Sequence, residues 1–304
     1  PLTPVRILEL PERIVYRKII ETGRLAIQLG AKILGLGAFT SVVGDSGVTI
    51  AQELEIPVTT GDSYTVAIAV QALLKAAGLL GIRYGDTTAA VIGATGAIGQ
   101  ACAELLASSV AELYLIGRRQ KDLEELSERI HTNQPGAARL KVSTNLAPLR
   151  EAQMILTATS SMHAIVQPEH LRPGTVLCDL ARPRDISPRV MATREDVLVI
   201  DGGLVDIPGP VDFHFDFGLP RGKAYACMAE TMALALEGRF EDYTLGKRIS
   251  LSQVQEIATI AAKHGFRLSE FRSFDRPVTE EQIWRVQDKM KAYSRSQTNS
   301  WRSR

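Results

Sequence analysis

The hydrophobic pattern of this chain changes its period near residue 87. Before that point, apolar residues recur every three to four positions, which is typical of helices that bury one face. After it, short apolar runs alternate with helical segments, which is typical of parallel strands joined by crossover helices. The first part predicts a helix over 13–29, a buried strand with a tight turn over 32–43, and a helix that follows the loop 59–63 and ends near residue 78.

The alternating part predicts one parallel sheet. Its strands are expected over 89–92, 113–116, 140–142, 154–156, 175–178 and 197–200, with helices over 98–108 and 121–130. We therefore expect an α/β fold with a doubly wound, Rossmann-type sheet.

The remaining segments complete the expected domain organisation. The Rossmann-type domain is assigned to 84–220, and a second, smaller α/β domain is built from 1–83 and the C-terminal helices of 221–293. The segment 294–304 is polar and has no acidic residue, so it predicts a disordered tail.

Composition and charge narrow the class of protein. The 304 residues include 45% apolar and 23% charged residues, as in ordinary globular enzymes. The 35 basic and 34 acidic residues nearly cancel, so no global charge favours nucleic acid as a partner. The longest apolar stretch, 66–82, contains Gln71 and Lys75, which favours a core helix and no stable membrane anchor.

Cysteine and histidine spacing points to a reducing compartment. The three cysteines make no CxxC pair, and the histidines make no HxxxH or HExxH pair, so neither disulfides nor a metal site is predicted. We expect a cytoplasmic protein without a signal peptide. The chain begins with Pro1 and not with Met, so it is also expected to be a trimmed or excised piece of a longer protein.

A glycine-rich turn lies between the first strand of the alternating part and the helix after it. The sequence Gly-Ala-Thr-Gly-Ala-Ile-Gly is a variant of the dinucleotide-binding fingerprint. Glycines permit the tight turn and a close approach of the pyrophosphate, and the helix N-terminus supplies N–H donors. The predicted cofactor-binding residues of this turn are Gly93, Thr95, Gly96, Ala97, Ile98 and Gly99.

Two arginines follow the second predicted strand. An acidic residue at this position would bind the ribose 2′-hydroxyl of NAD, whereas Arg118 and Arg119 suit a 2′-phosphate. We therefore predict NADP(H) as the cofactor. Further contacts are expected from Thr157 and Ala158 at another strand end, and from Gly203 after the last strand.

One of the three cysteines is a candidate nucleophile. Cys102 and Cys178 lie among apolar residues and are expected to be buried. Cys227 lies near a predicted helix start, shortly after Arg221 and Lys223. A helix N-terminus and nearby cations lower the pKa of a thiol, which would populate its thiolate. A packed core cysteine is the alternative.

The run of residues 224–232 around Cys227 resembles the cysteine segment of the cyanobacterial long-chain acyl-[acyl-carrier-protein] reductases, and the resemblance spans roughly residues 22 to 268. Other stretches of the chain also match that family, in the same order along the sequence. They are 36–41, 59–61, 91–96, 201–203 and 263–266.

The resemblance implies a reaction for this chain. The cysteine at the position of Cys227 would take an acyl group from a carrier-protein or CoA thioester, and NADPH would then reduce the bound thioester to an aldehyde. Thr60 or Ser63 is expected to bind the oxyanion. The strand end 179–184 departs from the family because it is more basic than a fatty-acyl enzyme requires, and its Arg182 is expected to bind a carboxylate or phosphate. Acyl-chain length, carrier and oligomeric state stay open.

Three other functions remain possible at this point. Tyr243 and Lys247 match the YxxxK pair of short-chain dehydrogenases, although Gly246 interrupts the helix that this pair needs. An NADP-dependent dehydrogenase of shikimate or amino-acid type would act without a covalent step. A non-catalytic NADP-binding sensor would bind the cofactor without turnover.

Overall fold

The computed structural model describes residues 3–216 and 218–302. The chain forms two compact units: unit 1 comprises Pro1–Ile68 and Gly203–Ser269, and unit 2 comprises Ala69–Gly202 and Glu270–Arg304. The boundaries therefore differ from the predicted 1–83, 84–220 and 221–293. They differ because unit 2 gains the second half of a helix that precedes its sheet and the final segment of the chain, neither of which has a strand pattern.

Helices and strands are labelled in chain order. The helices are α1 (Pro4–Glu9), α2 (Glu12–Gln28), α3 (Phe39–Val42), α4 (Val48–Glu53), α5 (Asp62–Leu79), α6 (Ala97–Ala107), α7 (Gln120–Asn133), α8 (Pro188–Thr193), α9 (Ala226–Glu237), α10 (Leu251–Lys263) and α11 (Glu280–Arg302). The strands are β1 (Leu34–Gly35), β2 (Val58–Thr59), β3 (Thr88–Ile92), β4 (Glu112–Ile116), β5 (Arg139–Ser143), β6 (Met154–Thr157), β7 (Val176–Asp179), β8 (Leu198–Asp201), β9 (Leu204–Asp206), β10 (Lys223–Tyr225), β11 (Arg267–Leu268), β12 (Arg272–Ser273) and β13 (Arg276–Pro277).

Unit 2 is built on one parallel sheet with the strand order β5-β4-β3-β6-β7-β8. The chain runs outward from β3 to β5, then crosses back to β6 on the other side of β3, which is the doubly wound Rossmann order. Strands β6, β7 and β8 are buried at every position because they lie in the interior of the unit. Helix α7 turns Leu123, Leu126 and Ile130 inward. The predicted α/β Rossmann-type fold is confirmed.

Unit 1 is a smaller α/β assembly. Its strands form a parallel pair, β1-β2, and an antiparallel group in the order β10-β9-β11. Helix α9 packs through small residues, Ala229 and Ala233, into a core that also contains Ile257 and Phe266. Short side chains on one helix face let neighbouring elements approach closely, and this positions the start of α9 inside the unit.

The predicted strand over 32–43 is shorter in the structure. It contains only β1, after which Gly37 and Ala38 turn the chain into the short helix α3. Ala38 has a φ of 50°, which a non-glycine residue rarely adopts. The strand ends here because that backbone conformation cannot continue a sheet.

The C-terminal helix α11 continues through Arg302, within the segment that is predicted to be a disordered tail. Residues 303–304 lie outside the described part of the chain. The prediction is corrected as far as Arg302, because no proline or glycine after Pro277 interrupts the helix. Within the residues described, no helix is both long and apolar enough to cross a membrane.

Candidate active site

The glycine turn of unit 2 has the geometry of a dinucleotide cradle. A Cβ on Gly93, whose φ is 79°, would lie 2.5 Å from the carbonyl oxygen of Ala158. A Cβ on Gly99 would overlap the carbonyl oxygen of Gly93 and lie 2.8 Å from its carbon. Glycine is therefore required at both positions, for the turn and for the packing of α6 against it.

Gly96 leaves room for a ligand at the start of α6. It is exposed and forms the N-cap of the helix, whose first turn begins with Ala97 and Ile98. The first N–H groups of a helix have no acceptor inside the helix, so they remain available to an anion. Gln100 steadies the turn by donating from its side chain to the carbonyl oxygen of Thr95, at 2.8 Å. A pyrophosphate fits this arrangement.

The two predicted phosphate-binding arginines differ in the structure. Arg119 forms an ion pair with Asp122, one turn into α7. Arg118 is exposed at the end of β4 and has no hydrogen bond or ion pair to any residue in the described ranges. Arg118 is therefore the arginine that is free to bind a 2′-phosphate.

The other strand ends of unit 2 carry a buried polar cluster. Thr157 is buried and donates to Asp179, at 2.8 Å, while Thr159 donates to Asp185, at 2.5 Å. Burial, together with the charge of Asp179, raises the pKa of Asp185 to about 6. Thr157 thus holds a carboxylate in place, and the backbone of Ala158 is the part of this segment that contacts Gly93.

Arg182 and Gly203 belong to different units. The Arg182 guanidinium donates to the carbonyl oxygen of Ala181, at 2.8 Å, and lies 3.8 Å from Asp201. It stabilises its own loop, which contains a cis peptide bond before Pro183. Gly203, with a φ of 75°, is the first residue of unit 1 after β8.

The three cysteines separate as the sequence predicts. Cys102 and Cys178 are fully buried, and burial raises the pKa of both thiols. Cys227 is the second residue of α9 and is only partly buried. It is the accessible thiol of the three.

The prediction that nearby cations lower the pKa of the Cys227 thiol is wrong. Arg221 pairs with Asp212, at 3.3 Å, and Lys223 with Asp206, at 2.7 Å, so neither cation serves the sulfur. Burial, together with the charge of Asp62, raises the pKa of Cys227 to about 11. At neutral pH the resting cysteine is a neutral thiol that needs a base.

Two backbone N–H groups face the Cys227 sulfur. They belong to Met228, in the first turn of α9, and to Ala38, and each favours the thiolate and partly offsets the rise in pKa. A Cβ on the neighbouring Gly37 would lie 3.7 Å from the sulfur, so this segment runs beside it. Donors in this arrangement can also stabilise an oxyanion on a group attached to the sulfur.

A buried carboxylate, Glu230, organises the segment before α5. Glu230 lies one turn after Cys227, is fully buried, and accepts a hydrogen bond from the Thr59 hydroxyl at 2.5 Å. It also accepts from the backbone N–H of Tyr64, at 2.8 Å. The Thr244 hydroxyl lies 2.8 Å from Glu230 and 2.7 Å from Ser63. Ser63 is therefore engaged in this network, which holds the 59–64 segment against α9.

A second carboxylate, Asp62, interacts through its charge with both Glu230 and the thiol. It is the first residue of α5 and is 6% exposed. Burial, together with the charge of Glu230, raises its pKa to about 7. Asp62, Glu230, Thr60, Ala38 and Cys227 are called the thiol site below. Neither carboxylate is among the residues predicted from the sequence, although Asp62 lies in a predicted loop and Glu230 is one helical turn from Cys227.

The YxxxK alternative is not supported by the structure. The Tyr243 hydroxyl donates to the carbonyl oxygen of Gln253, at 3.0 Å, and lies 2.8 Å from Glu256. Tyr243 and Lys247 are not on a helix, so the required one-turn spacing is absent. Burial raises the pKa of Tyr243, which is the opposite of what an acid for hydride transfer needs.

The class of unit 2 follows from its strand order, its glycine turn and a family match. The family model for shikimate / quinate 5-dehydrogenase matches residues 76–202, which contain the turn and all of the sheet. Unit 2 is a Rossmann-type domain of the NAD(P)-dependent oxidoreductase class, and the predicted kind of cofactor, a nicotinamide dinucleotide, is confirmed.

Particular relatives extend the likeness beyond unit 2. The chain is 32% identical over 260 residues to the aminotransferase PigE of Serratia sp. (strain ATCC 39006), covering 84% of this chain and 30% of that protein. It is 29% identical over 266 residues to the long-chain acyl-[acyl-carrier-protein] reductase of Synechococcus elongatus, covering 83% of this chain and 75% of that protein. The predicted resemblance to the cyanobacterial reductases is confirmed.

A solved structure also matches the chain, with a low score. Quinate dehydrogenase from Corynebacterium glutamicum matches with a TM-score of 0.34 and 17% identity, covering 43% of this chain and 50% of that one.

Proposed function

We propose that this chain is an NADPH-dependent reductase that converts an acyl thioester into an aldehyde through an acyl-Cys227 intermediate. The observation that carries the proposal is the thiol site: a partly exposed cysteine at a helix start, faced by two backbone N–H groups and flanked by buried carboxylates. The resemblance to the Synechococcus enzyme covers 83% of the chain and supports the same chemistry.

The residues of the thiol site have separate tasks in this reaction. Cys227 attacks the carbonyl carbon of the incoming thioester, a new S–C bond forms, and the carrier thiol leaves with one proton. The N–H groups of Ala38 and Met228 stabilise the oxyanion, a task that the sequence pattern gave to Thr60 or Ser63. Reduction then forms a C–H bond, breaks the bond to Cys227, and restores the thiol as the aldehyde leaves.

Unit 2 supplies the cofactor site for this reaction. The turn from Gly93 to Gly99 and the start of α6 would hold the pyrophosphate, and Arg118 would hold the 2′-phosphate of NADP. A bound nicotinamide contributes the hydride. Because Arg118 has no partner among the described residues, NADPH is favoured over NADH.

The covalent step can be tested by mass spectrometry. The protein is mixed with acyl-CoA or acyl-carrier-protein thioesters of several chain lengths, without NADPH, and its peptides are analysed. We expect an acyl adduct on the Cys227 peptide, its loss on addition of NADPH, and the appearance of aldehyde. Cys227→Ala should abolish both signals, while Cys102→Ala, at a buried thiol, should keep them. NADPH binding without any adduct would contradict the proposal.

A direct dehydrogenase is the second candidate, because the matched family model describes shikimate and quinate dehydrogenation. That match ends at residue 202 and contains no part of the thiol site. Hydride transfer to a hydroxy acid or keto acid that survives Cys227→Ala would favour this candidate.

A further inference from the structure

The thiol site leaves one chemical task unassigned. A neutral thiol must lose its proton before or during attack, and the same sulfur must regain a proton when the aldehyde leaves. The cations expected to lower its pKa are paired elsewhere, so Cys227 depends on a nearby proton acceptor.

The backbone brings the segment that contains Asp62 against Cys227. A Cβ on the preceding Gly61 would overlap the Cα and the carbonyl oxygen of Cys227 and lie 2.6 Å from its Cβ. The two segments are thus in direct contact, and Gly61 has a φ of 76° that glycine tolerates. The negative charge of Asp62 acts on Cys227 more strongly than that of Glu230 does.

The two carboxylates, Glu230 and Asp62, differ in the hydrogen bonds that their oxygens accept. Glu230 is bound by the Thr59 hydroxyl, the Tyr64 N–H and the Thr244 hydroxyl, so its oxygens are committed to the fold. Asp62 has no such set of donors among the described contacts. A carboxyl group without committed donors is free to exchange a proton.

Thr60 supplies an independent sign of a polar pathway. Its side chain is 1% exposed, and its hydroxyl makes no hydrogen bond of normal geometry within the described part of the chain. That hydroxyl nevertheless faces the Asp62 carboxylate closely enough to lower its pKa. Buried hydroxyls are normally paired, and the Asp62 carboxylate is the group that this hydroxyl faces.

We propose that Asp62 is the proton-transfer residue of the thiol site. The inference rests on the proposed function. In acylation, Asp62 accepts the Cys227 proton as the sulfur bonds to the acyl carbon, then passes it to the departing carrier thiolate. Before reduction, Asp62 takes up a proton from solvent. As the acyl carbon gains the hydride, the C–S bond breaks, the aldehyde leaves, and protonated Asp62 gives this second proton to the sulfur. The net reaction consumes one thioester, one NADPH and one proton, and releases aldehyde, free thiol and NADP.

The pH dependence of acylation follows from the groups around Asp62. It is flanked by Glu230 and Cys227 on α9, and by Thr60 and Tyr64 on its own segment. Since Asp62 must be ionised to act as a base, single-turnover acylation should rise with pH and level off above about pH 7. Thr60→Val removes the hydroxyl that favours the carboxylate, so it should move this rise to higher pH.

The central experiment compares two reactions of the same sulfur in Asp62→Asn. Single-turnover acylation by acyl-CoA should slow by about 100-fold or more and lose its rise near pH 7. Alkylation of Cys227 by iodoacetamide at pH 8 should become faster than in wild type, because the amide no longer raises the pKa of the thiol. A merely structural role would slow both reactions. Asp62→Glu should restore part of the acylation rate.

The control is Asp45→Asn, a matched change at a half-buried carboxylate of unit 1 that caps Thr49. It should leave the rate and pH profile of acylation unchanged. Wild-type acylation kinetics in Asp62→Asn would overturn the inference. If that variant does not fold, an acylation profile that Thr60→Val leaves unmoved would overturn it instead. Failure of the proposed function is distinct, since wild type would then form no acyl adduct at all.

Discussion

The glycine turn of unit 2 and the thiol site of unit 1 are built in opposite ways. The turn uses backbone groups from one stretch of seven residues, and its glycines make room for a ligand. The thiol site uses side chains and N–H groups from segments near residues 38, 62 and 230, and it buries two carboxylates beside a thiol. A backbone site can be encoded locally, whereas a site of buried charges exists only after distant segments have packed together.

The largest expected effect comes from breaking the turn. Gly99→Ala would force a Cβ onto the carbonyl oxygen of Gly93, so we expect a loss of about 3 kcal/mol in the free energy of unfolding. NADPH affinity should fall by about 100-fold, measured by calorimetry.

Gly85→Ala is the control for that change. A Cβ at Gly85 meets no atom within 4 Å, and the residue does not need a positive φ. Its effect on the free energy of unfolding should stay within about 0.5 kcal/mol. If both variants lost the same free energy of unfolding, the close contact between position 99 and Gly93 would not be the cause of the loss.

Substituting each of the two arginines tests whether the cofactor site distinguishes NADPH from NADH. Arg118→Ala should weaken NADPH binding by about 10- to 100-fold and leave NADH binding unchanged, because it removes a charged donor to the 2′-phosphate. Arg119→Ala should change NADPH binding by less than about threefold, since Arg119 is already paired with Asp122. Titration of each variant with both cofactors measures the ratio. Equal losses for NADPH and NADH would contradict the preference.

The thiol site should destabilise the protein at neutral pH. The pKa of Asp62 rises from 3.8 in the unfolded chain to about 7 in the fold, so the folded state holds this proton more tightly. The resulting stabilisation is complete below about pH 4 and is lost as the pH rises through 7. Asp62→Asn, which stays neutral, should therefore be more stable than wild type at pH 8 by roughly 1–3 kcal/mol.

The measurement is urea unfolding at pH 4.5 and pH 8. The advantage of Asp62→Asn should be much smaller at the lower pH, where the wild-type carboxyl is already protonated. A variant that is equally stable relative to wild type at both values would contradict the raised pKa.

The smallest expected effect concerns the strained backbone beside the sulfur. Ala38 has a φ of 50°, so Ala38→Gly should stabilise the protein by about 0.5–1 kcal/mol. The same substitution within α2, Ala26→Gly, should destabilise it by about 1 kcal/mol. Thermal unfolding of both variants gives the comparison. A loss of stability in both would mean that position 38 is not strained.

The sequence by itself determined most of unit 2. Short apolar runs between helices predict a parallel sheet because strands buried on both faces must be apolar throughout. The spacing of Gly93, Gly96 and Gly99 predicts the cradle because the tight turn is formed by the backbone of these same residues. The burial of Cys102 and Cys178 also follows from their apolar neighbours in sequence. Each of these properties depends on residues that are close together in the chain.

Only the tertiary structure decided the character of the thiol. Local sequence predicts a lowered pKa for Cys227, from a helix start and two nearby cations. The fold instead pairs those cations with Asp206 and Asp212 and brings Asp62 to the sulfur. Desolvation and charge interactions depend on distance in space, and 165 positions separate these two residues in the chain. Whether a cysteine is a thiol or a thiolate is therefore decided by packing.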